Sequence, residues 1–319
     1  MLVLRTFFLL FAFINCYSFP VCTANDNLNQ ACEVIEHPKI KKSKKTYTYN
    51  LTICAIFRDE GPYLKEWIEF HKLVGVQHFL LYNHLSVDNS REVLQPYIDD
   101  KTVEVIDLND EIKSRPHWGS IQMGSYNDGL KRLLGKSKWV AFIDSDEFLI
   151  PVKQDNLLTV LKDYEKFGGI CAHWVMFGTS HIQKIPDNVL QIEALVYRSK
   201  LDCSTNSHVK SIVRPEKVVE FTNPHFAIYK KGSTQVNENK VAFNGALEKE
   251  FTANILRINH YWTRDEDYFF NVKVPSRVKR GFSKEKELTR AEMFNEVLDT
   301  DMFRFVPALR AKMGYDINN

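Results

Sequence analysis

The sequence has no closely spaced pair of cysteines: Cys16, Cys22, Cys32, Cys54, Cys171 and Cys203 are scattered through 319 residues. A C-x-x-C zinc or redox motif is therefore excluded. No G-x-G-x-x-G follows the first strand-like segment and no G-x-x-x-x-G-K-[ST] occurs, so neither a nicotinamide dehydrogenase nor a P-loop enzyme fits. Charge of one sign is also missing. A formal net charge of +2 offers no electrostatic reason to invoke nucleic acid. There is no internal repeat, and no low-complexity block beyond a lysine-rich run at Lys39–Lys45.

The N-terminus has an apolar stretch, but a short one. Met1 to Arg5 forms a minimal basic region, Thr6 to Ile14 is apolar, and Cys16-Tyr17-Ser18 offers small residues for cleavage before Phe19. A spanning helix needs roughly 20 apolar residues. No charge appears between Thr6 and Asn25, so an uncleaved anchor stays open. The expectation is a signal peptide or signal anchor over 1–18, then a lysine-rich stalk over 19–48, with export into a secretory lumen. Cys22 and Cys32 could pair in that stalk, while Cys54, Cys171 and Cys203 read as small buried hydrophobes.

From Leu51 the pattern becomes regular. Leu51–Phe57, His78–Tyr82, Val103–Ile106 and Trp139–Ile143 are short apolar runs of the kind buried strands need. Between them lie helical spacings: Tyr63, Trp67, Phe70 and Val74 behind Pro62, a short helix over Arg91 to Tyr97, and a longer one from about Ile121 to Leu134. Alternating strands and helices predict an α/β fold, a Rossmann-like and mostly parallel sheet flanked by helices. In such sheets ligands sit outside the carboxyl ends of the strands. Those ends carry Arg58-Asp59-Glu60, Asn83, Asp107 and Asp144. The later half is less regular, with strand-like stretches at Ile170–Phe177, Ile212-Val213 and Arg257–Trp262 and a helix beginning near Thr289.

The most informative stretch is Trp139-Val140-Ala141-Phe142-Ile143 running into Asp144-Ser145-Asp146-Glu147. Carboxylates so crowded need a counter-charge, and hard oxygen ligands suit manganese or magnesium. Asp146 is the best direct ligand, with Asp144 beside it. Glu147, if strand geometry persists, points to the opposite face and either serves the site or pairs with a lysine or arginine.

Several segments together resemble glycosyltransferase family 92. They are Arg58-Asp59-Glu60, Tyr63 to His71, Gly75-Val76-Gln77-His78-Phe79, Phe142 to Leu149, Trp174 to Ser180, Lys210 to Pro215 and Asn259-His260-Tyr261-Trp262. The likeness spans about Leu51 to Phe282, with Ser145 where an aliphatic residue is expected. It implies a GT-A fold over 49–290, an irregular acceptor-side half and a C-terminal helical tail over 291–319. It also implies metal-dependent, inverting transfer of a sugar, often galactose, from a UDP-sugar donor to a glycan or glycoprotein acceptor, in the Golgi when eukaryotic. On this basis Asp144, Asp146 and His260 would hold Mn2+ or Mg2+, with His225 the other histidine in view. Arg264 would contact the diphosphate. Arg58, Glu60, Asn83 and Asp88 would contact the nucleoside, and Gln122 and Asn127 the donor sugar or diphosphate. No general base stands out; Asp202, Glu193 and His225 are the candidates. Two other readings stay open: a metal-dependent phosphohydrolase, against which Glu147-Phe148 counts where Gly-Thr usually follows such motifs, and a non-catalytic carbohydrate-binding protein.

Overall fold

A computed structural model describes residues 46–109 and 115–316 of the chain. The leader over 1–18, and all but the last residues of the stalk over 19–48, lie outside the described residues. Thr46–Asn319 form one compact unit. No helix among the described residues is long and apolar enough to cross a membrane.

The first half is a β/α alternation: β1 (Tyr49–Phe57), α1 (Gly61–Leu73), β2 (His78–His84), α2 (Ser90–Asp99), β3 (Val103–Leu108), α3 (Arg115–Leu133) and β4 (Ser137–Phe142). β1 pairs in parallel with both β2 and β4, and β2 with β3. Next come β5 (Glu147–Pro151), α4 (Leu157–Lys162) and β6 (Gly169–Met176), then β7 (Tyr197–Arg198), β8 (Val209–Val213), β9 (Val218–Asn223), β10 (Phe226–Tyr229), β11 (Gln235–Val236), β12 (Ala242–Phe243) and β13 (Leu256–His260). Beyond β4 the sheet continues through antiparallel β8 to β6, and β13 lies parallel to β6 and antiparallel to β5.

β1 shows why its run is so apolar. Leu51, Ile53, Ala55 and Phe57 pack into a core with α1, while Cys54 and Ile56 face a second core under α3. A parallel strand covered on both faces has no solvent side to carry polar residues. α3 presses onto the sheet at Gly129, where an added Cβ would lie 2.6 Å from Cys54 Sγ. That close approach brings Gln122 and Tyr126, one turn apart on one face, against the end of β4.

The residues expected as a helical tail are integral to the fold. The helix Val306–Met313 rests on α1: Leu309 is buried, the Phe305 ring lies 5.3 Å from Phe70, and Met313 O accepts from Lys65 Nζ at 3.1 Å. The helix expected near Thr289 runs over Lys284–Met293, capped by the Ser283 hydroxyl.

Candidate active site

The carboxyl ends of β1 and β2 are stapled to each other. Asp88 accepts from Gly61 N at 2.7 Å and from Ser90 N at 3.0 Å, and Ser86 Oγ accepts from Asp59 N at 2.9 Å. A Cβ at Gly61 would meet Asn89 Oδ1 at 2.2 Å and Asp88 Oδ2 at 2.9 Å, so a larger residue there would displace both side chains. Asn83 donates to Asp107 at 2.9 Å and accepts from Ser86 N at 3.1 Å. Arg58 pairs with Asp59 at 3.4 Å on the exposed rim. Asn83 and Asp88 therefore shape the rim expected to meet a nucleoside.

β4 ends into a turn in which Asp144 O accepts from Glu147 N at 3.1 Å, and this turn decides where the acidic cluster points. Strand geometry does not persist through it, so Glu147 is drawn inward rather than to the opposite face. Its Oε2 accepts from Asp144 N at 2.9 Å and lies 3.6 Å from Lys210 Nζ. Asp144 Oδ2 accepts from the same ammonium at 2.8 Å, while Oδ1 accepts from Gln122 at 3.1 Å and Tyr126 at 3.2 Å. Lys210 is 1 % exposed, and two carboxylates keep it charged against burial. Burial raises the Glu147 pKa well above the usual carboxylate range; the Asp144 and Asp146 charges add to this and Lys210 opposes it.

Asp146 has different neighbours. Antiparallel pairing sets His260 opposite Glu147, which brings His260 Nε2 to 3.3 Å from Asp146 Oδ1. Lys273 Nζ approaches Oδ2 at 3.3 Å from a one-turn π-helix, Phe269–Lys273. Burial alone would raise the Asp146 pKa, but Lys273, His260 and Arg264 hold it well below the usual carboxylate range. Asp146 is thus an anion with an imidazole on one oxygen and an ammonium on the other.

Asp146 and His260 are the two groups here of a kind that could hold a divalent cation. Two ligands at octahedral bond lengths lie about 3 Å apart around one ion, close to the Asp146–His260 separation. Asp144, expected as a further ligand, is instead held by Lys210, Gln122 and Tyr126. Among the described residues no three His, Cys, Asp or Glu side chains gather as a metal cluster.

Arg264, expected at the diphosphate, is 1 % exposed. Its guanidinium donates to Glu60 and Gln191, approaches Ser145 O at 3.4 Å, and lies 3.5 Å from the centre of the Tyr63 ring. Glu60 and Arg264 thus brace the turn from beneath. Burial pushes the Glu60 pKa up, and Arg264 opposes that shift. Asn127, expected at the donor, binds the main chain of Phe221 through both amide atoms, at 2.9 and 2.7 Å, and so ties α3 to β9.

The candidate bases are placed as follows. Glu193 is engaged with Arg310 of the C-terminal helix, and Asp202 is exposed in a turn. His225 bonds Val209 O through Nδ1 at 2.9 Å; burial, and next Lys210, bring its pKa down to about 3, so its imidazole is a weak proton acceptor. Trp174 joins His225 (5.1 Å), His208 (4.8 Å, stacked) and His260 (4.5 Å) in one aromatic cluster beside the site. Lys210, Lys273 and His208 were not singled out from the sequence. The available signal for Lys210 is a lone cation inside an otherwise uncharged strand, Val209-Lys210-Ser211-Ile212-Val213.

A mostly parallel sheet thus gathers its charged side chains at the carboxyl edge, the place where open α/β folds bind their ligands. The match to the family model described as Glycosyltransferase family 92 covers residues 49–299. The chain belongs to that family. A family 92 protein of Ricinus communis is 27 % identical over 219 residues, 67 % of this chain and 35 % of that protein. A protein of Caenorhabditis elegans named as a beta-1,4-galactosyltransferase is 26 % identical over 233 residues, 70 % of this chain and 50 % of that one. The chain thus spans half or less of the length of these relatives. Among solved structures, S. aureus TarS matches with a TM-score of 0.37 at 11 % identity, over 81 % of this chain and 73 % of that one.

Proposed function

We propose that this chain is a metal-assisted, inverting glycosyltransferase domain that moves a sugar, galactose favoured, from a UDP-sugar to a glycan or glycoprotein acceptor. The observation that carries the reading is the Asp146–His260 pair beside Lys273 at the carboxyl edge of the sheet. The galactosyltransferase name of the nematode relative supports the choice of sugar. The leader expected over 1–18 would place the reaction in the secretory pathway, at a Golgi membrane if it is kept as an anchor.

Asp146 and His260 would hold Mn2+ or Mg2+, which when bound supplies Lewis-acid stabilisation of the charge developing on the departing diphosphate. Lys273 is 17 % exposed beside Asp146, so its ammonium would be within reach of a phosphate oxygen of the donor. Arg264 and Glu60 keep the turn in place, and Lys210 with Gln122 and Tyr126 fixes Asp144 where it can meet the donor. Such preorganised charge is the main resource of a site that stabilises a leaving group.

The test is a panel of UDP-sugars with Mn2+ and β-1,4-galactan oligosaccharides, read by mass spectrometry. The reading expects transfer from UDP-galactose that disappears with EDTA and in Asp146→Asn. Phosphate release without transfer would favour a phosphohydrolase, and saccharide binding without turnover would favour a binding protein.

A further inference from the structure

Asn50-Leu51-Thr52 is an N-x-[ST] tripeptide, and no second one occurs in the chain. It stands at the start of β1 rather than in a loop, so geometry decides whether and when it can be modified. Side chains two apart along a strand lie on the same face. Asn50 is exposed at the amino end of that face. Thr52 is 0 % exposed, and its hydroxyl is hydrogen-bonded to Ser137 Oγ at 2.6 Å. The main chain of Asn50 is held as well, its N–H donating to Gln77 Oε1 at 2.6 Å. We propose that Asn50 is a modification site that carries an N-linked glycan, added before β1 pairs with β4.

The inference rests on the secretory reading of the leader, where the co-substrate is a lipid-linked oligosaccharide diphosphate. A bond forms between Asn50 Nδ2 and the anomeric carbon of the first sugar. The bond from that carbon to the diphosphate oxygen breaks, the lipid diphosphate leaves with the electron pair, and the amide gives up one proton. The third residue of the acceptor is read through its hydroxyl. In the folded chain that hydroxyl lies in the interior against Ser137, so the tripeptide can be read only on an unpaired strand. The order follows: sugar first, sheet second. The finished fold then has room for the product, because Asn50 itself stays at the surface. A glycan is bulky and solubilising, and its place on the sheet decides whether it interferes. Seven residues of extended chain separate Asn50 from Phe57, roughly 23 Å along the strand. The glycan thus sits at the amino edge of the parallel strands and leaves open the carboxyl edge, where Asp146 and His260 meet.

The test separates the site from the export on which it depends. The full chain, with its own leader, is expressed in mammalian cells and treated with peptide-N-glycosidase. The expected result is a single gel shift that the enzyme removes, leaving position 50 converted from amide to acid in the peptide map, and no shift in Asn50→Gln. Lys231→Asn, placed in the Asn50→Gln chain, makes the exposed Lys230–Ser233 turn an Asn-Gly-Ser acceptor and reports export alone. Modification at that turn, with none at position 50 of the parent, overturns the site. No modification at either position overturns the secretory reading and, with it, the proposal. The order of events is tested on unmodified chain made in bacteria, incubated with oligosaccharyltransferase and its lipid-linked donor. The folded chain should stay unmodified, whereas a tryptic digest, which frees Thr46–Arg58, should be modified. Modification of the folded chain as complete as that of the digest overturns the order.

Discussion

Replacing Lys210 by methionine removes the charge that two carboxylates share. Its Nζ lies 2.8 Å from Asp144 and 3.6 Å from Glu147, with the lysine side chain 1 % exposed and Glu147 fully buried. Deleting one partner of a buried ion pair costs about 3–5 kcal/mol, because the remaining charge has nothing to offset its desolvation. Asp144 is 31 % exposed, so solvent screens part of its loss. The lower end, about 3 kcal/mol, is the better expectation, and for a domain of this size that lowers the melting temperature by roughly 6–12 °C. The pH dependence tests the cause. Glu147 already titrates above its ordinary range, and it rises further once Lys210 is gone. Between its ordinary and raised values the native state keeps a proton that the unfolded chain has released, so stability falls as pH rises. Urea unfolding of Lys210→Met should therefore show a deficit that shrinks as pH is lowered. An unchanged midpoint, or a deficit that grows on acidification, would refute the reasoning.

Three other substitutions separate roles around the site. Arg264→Met leaves buried Glu60 unpaired and should cost about 3–5 kcal/mol in chemical denaturation; selective loss of UDP affinity at unchanged stability would instead make Arg264 a donor contact. Leu309→Ala, at a fully buried position on the C-terminal helix, should lose about 2–5 kcal/mol by the same assay, and wild-type stability would detach that helix from the core. Lys273→Met frees Asp146 of a competing cation, so Mn2+ should bind more tightly while UDP binds more weakly; both affinities moving down together would contradict the assignment.

The parallel half of the fold was legible because its strands are buried on both faces and read as unbroken apolar runs. The register of β13 against β5 brings His260 beside Asp146, two residues far apart in sequence that the family resemblance sets together. What could not be read depends on partners distant in sequence. Arg264 looks like a phosphate contact until its burial against Glu60 and Tyr63 is seen. Asn127 is polar on a helix, yet it serves the main chain of Phe221. Glu147 was read by strand periodicity, which the turn at Asp144 interrupts. Lys210 gains meaning only when antiparallel β8 is laid beside β4, a pairing that local sequence does not announce.

Whether Asp146 and His260 hold one divalent ion for a nucleotide diphosphate is decided by titrating Mn2+ in the presence of UDP, followed by electron paramagnetic resonance. One ion should bind per wild-type chain, with affinity reduced at least tenfold in His260→Ala (about 1.4 kcal/mol or more) and no UDP-dependent binding in Asp146→Asn. Mn2+ binding that both variants retain at wild-type strength would contradict it.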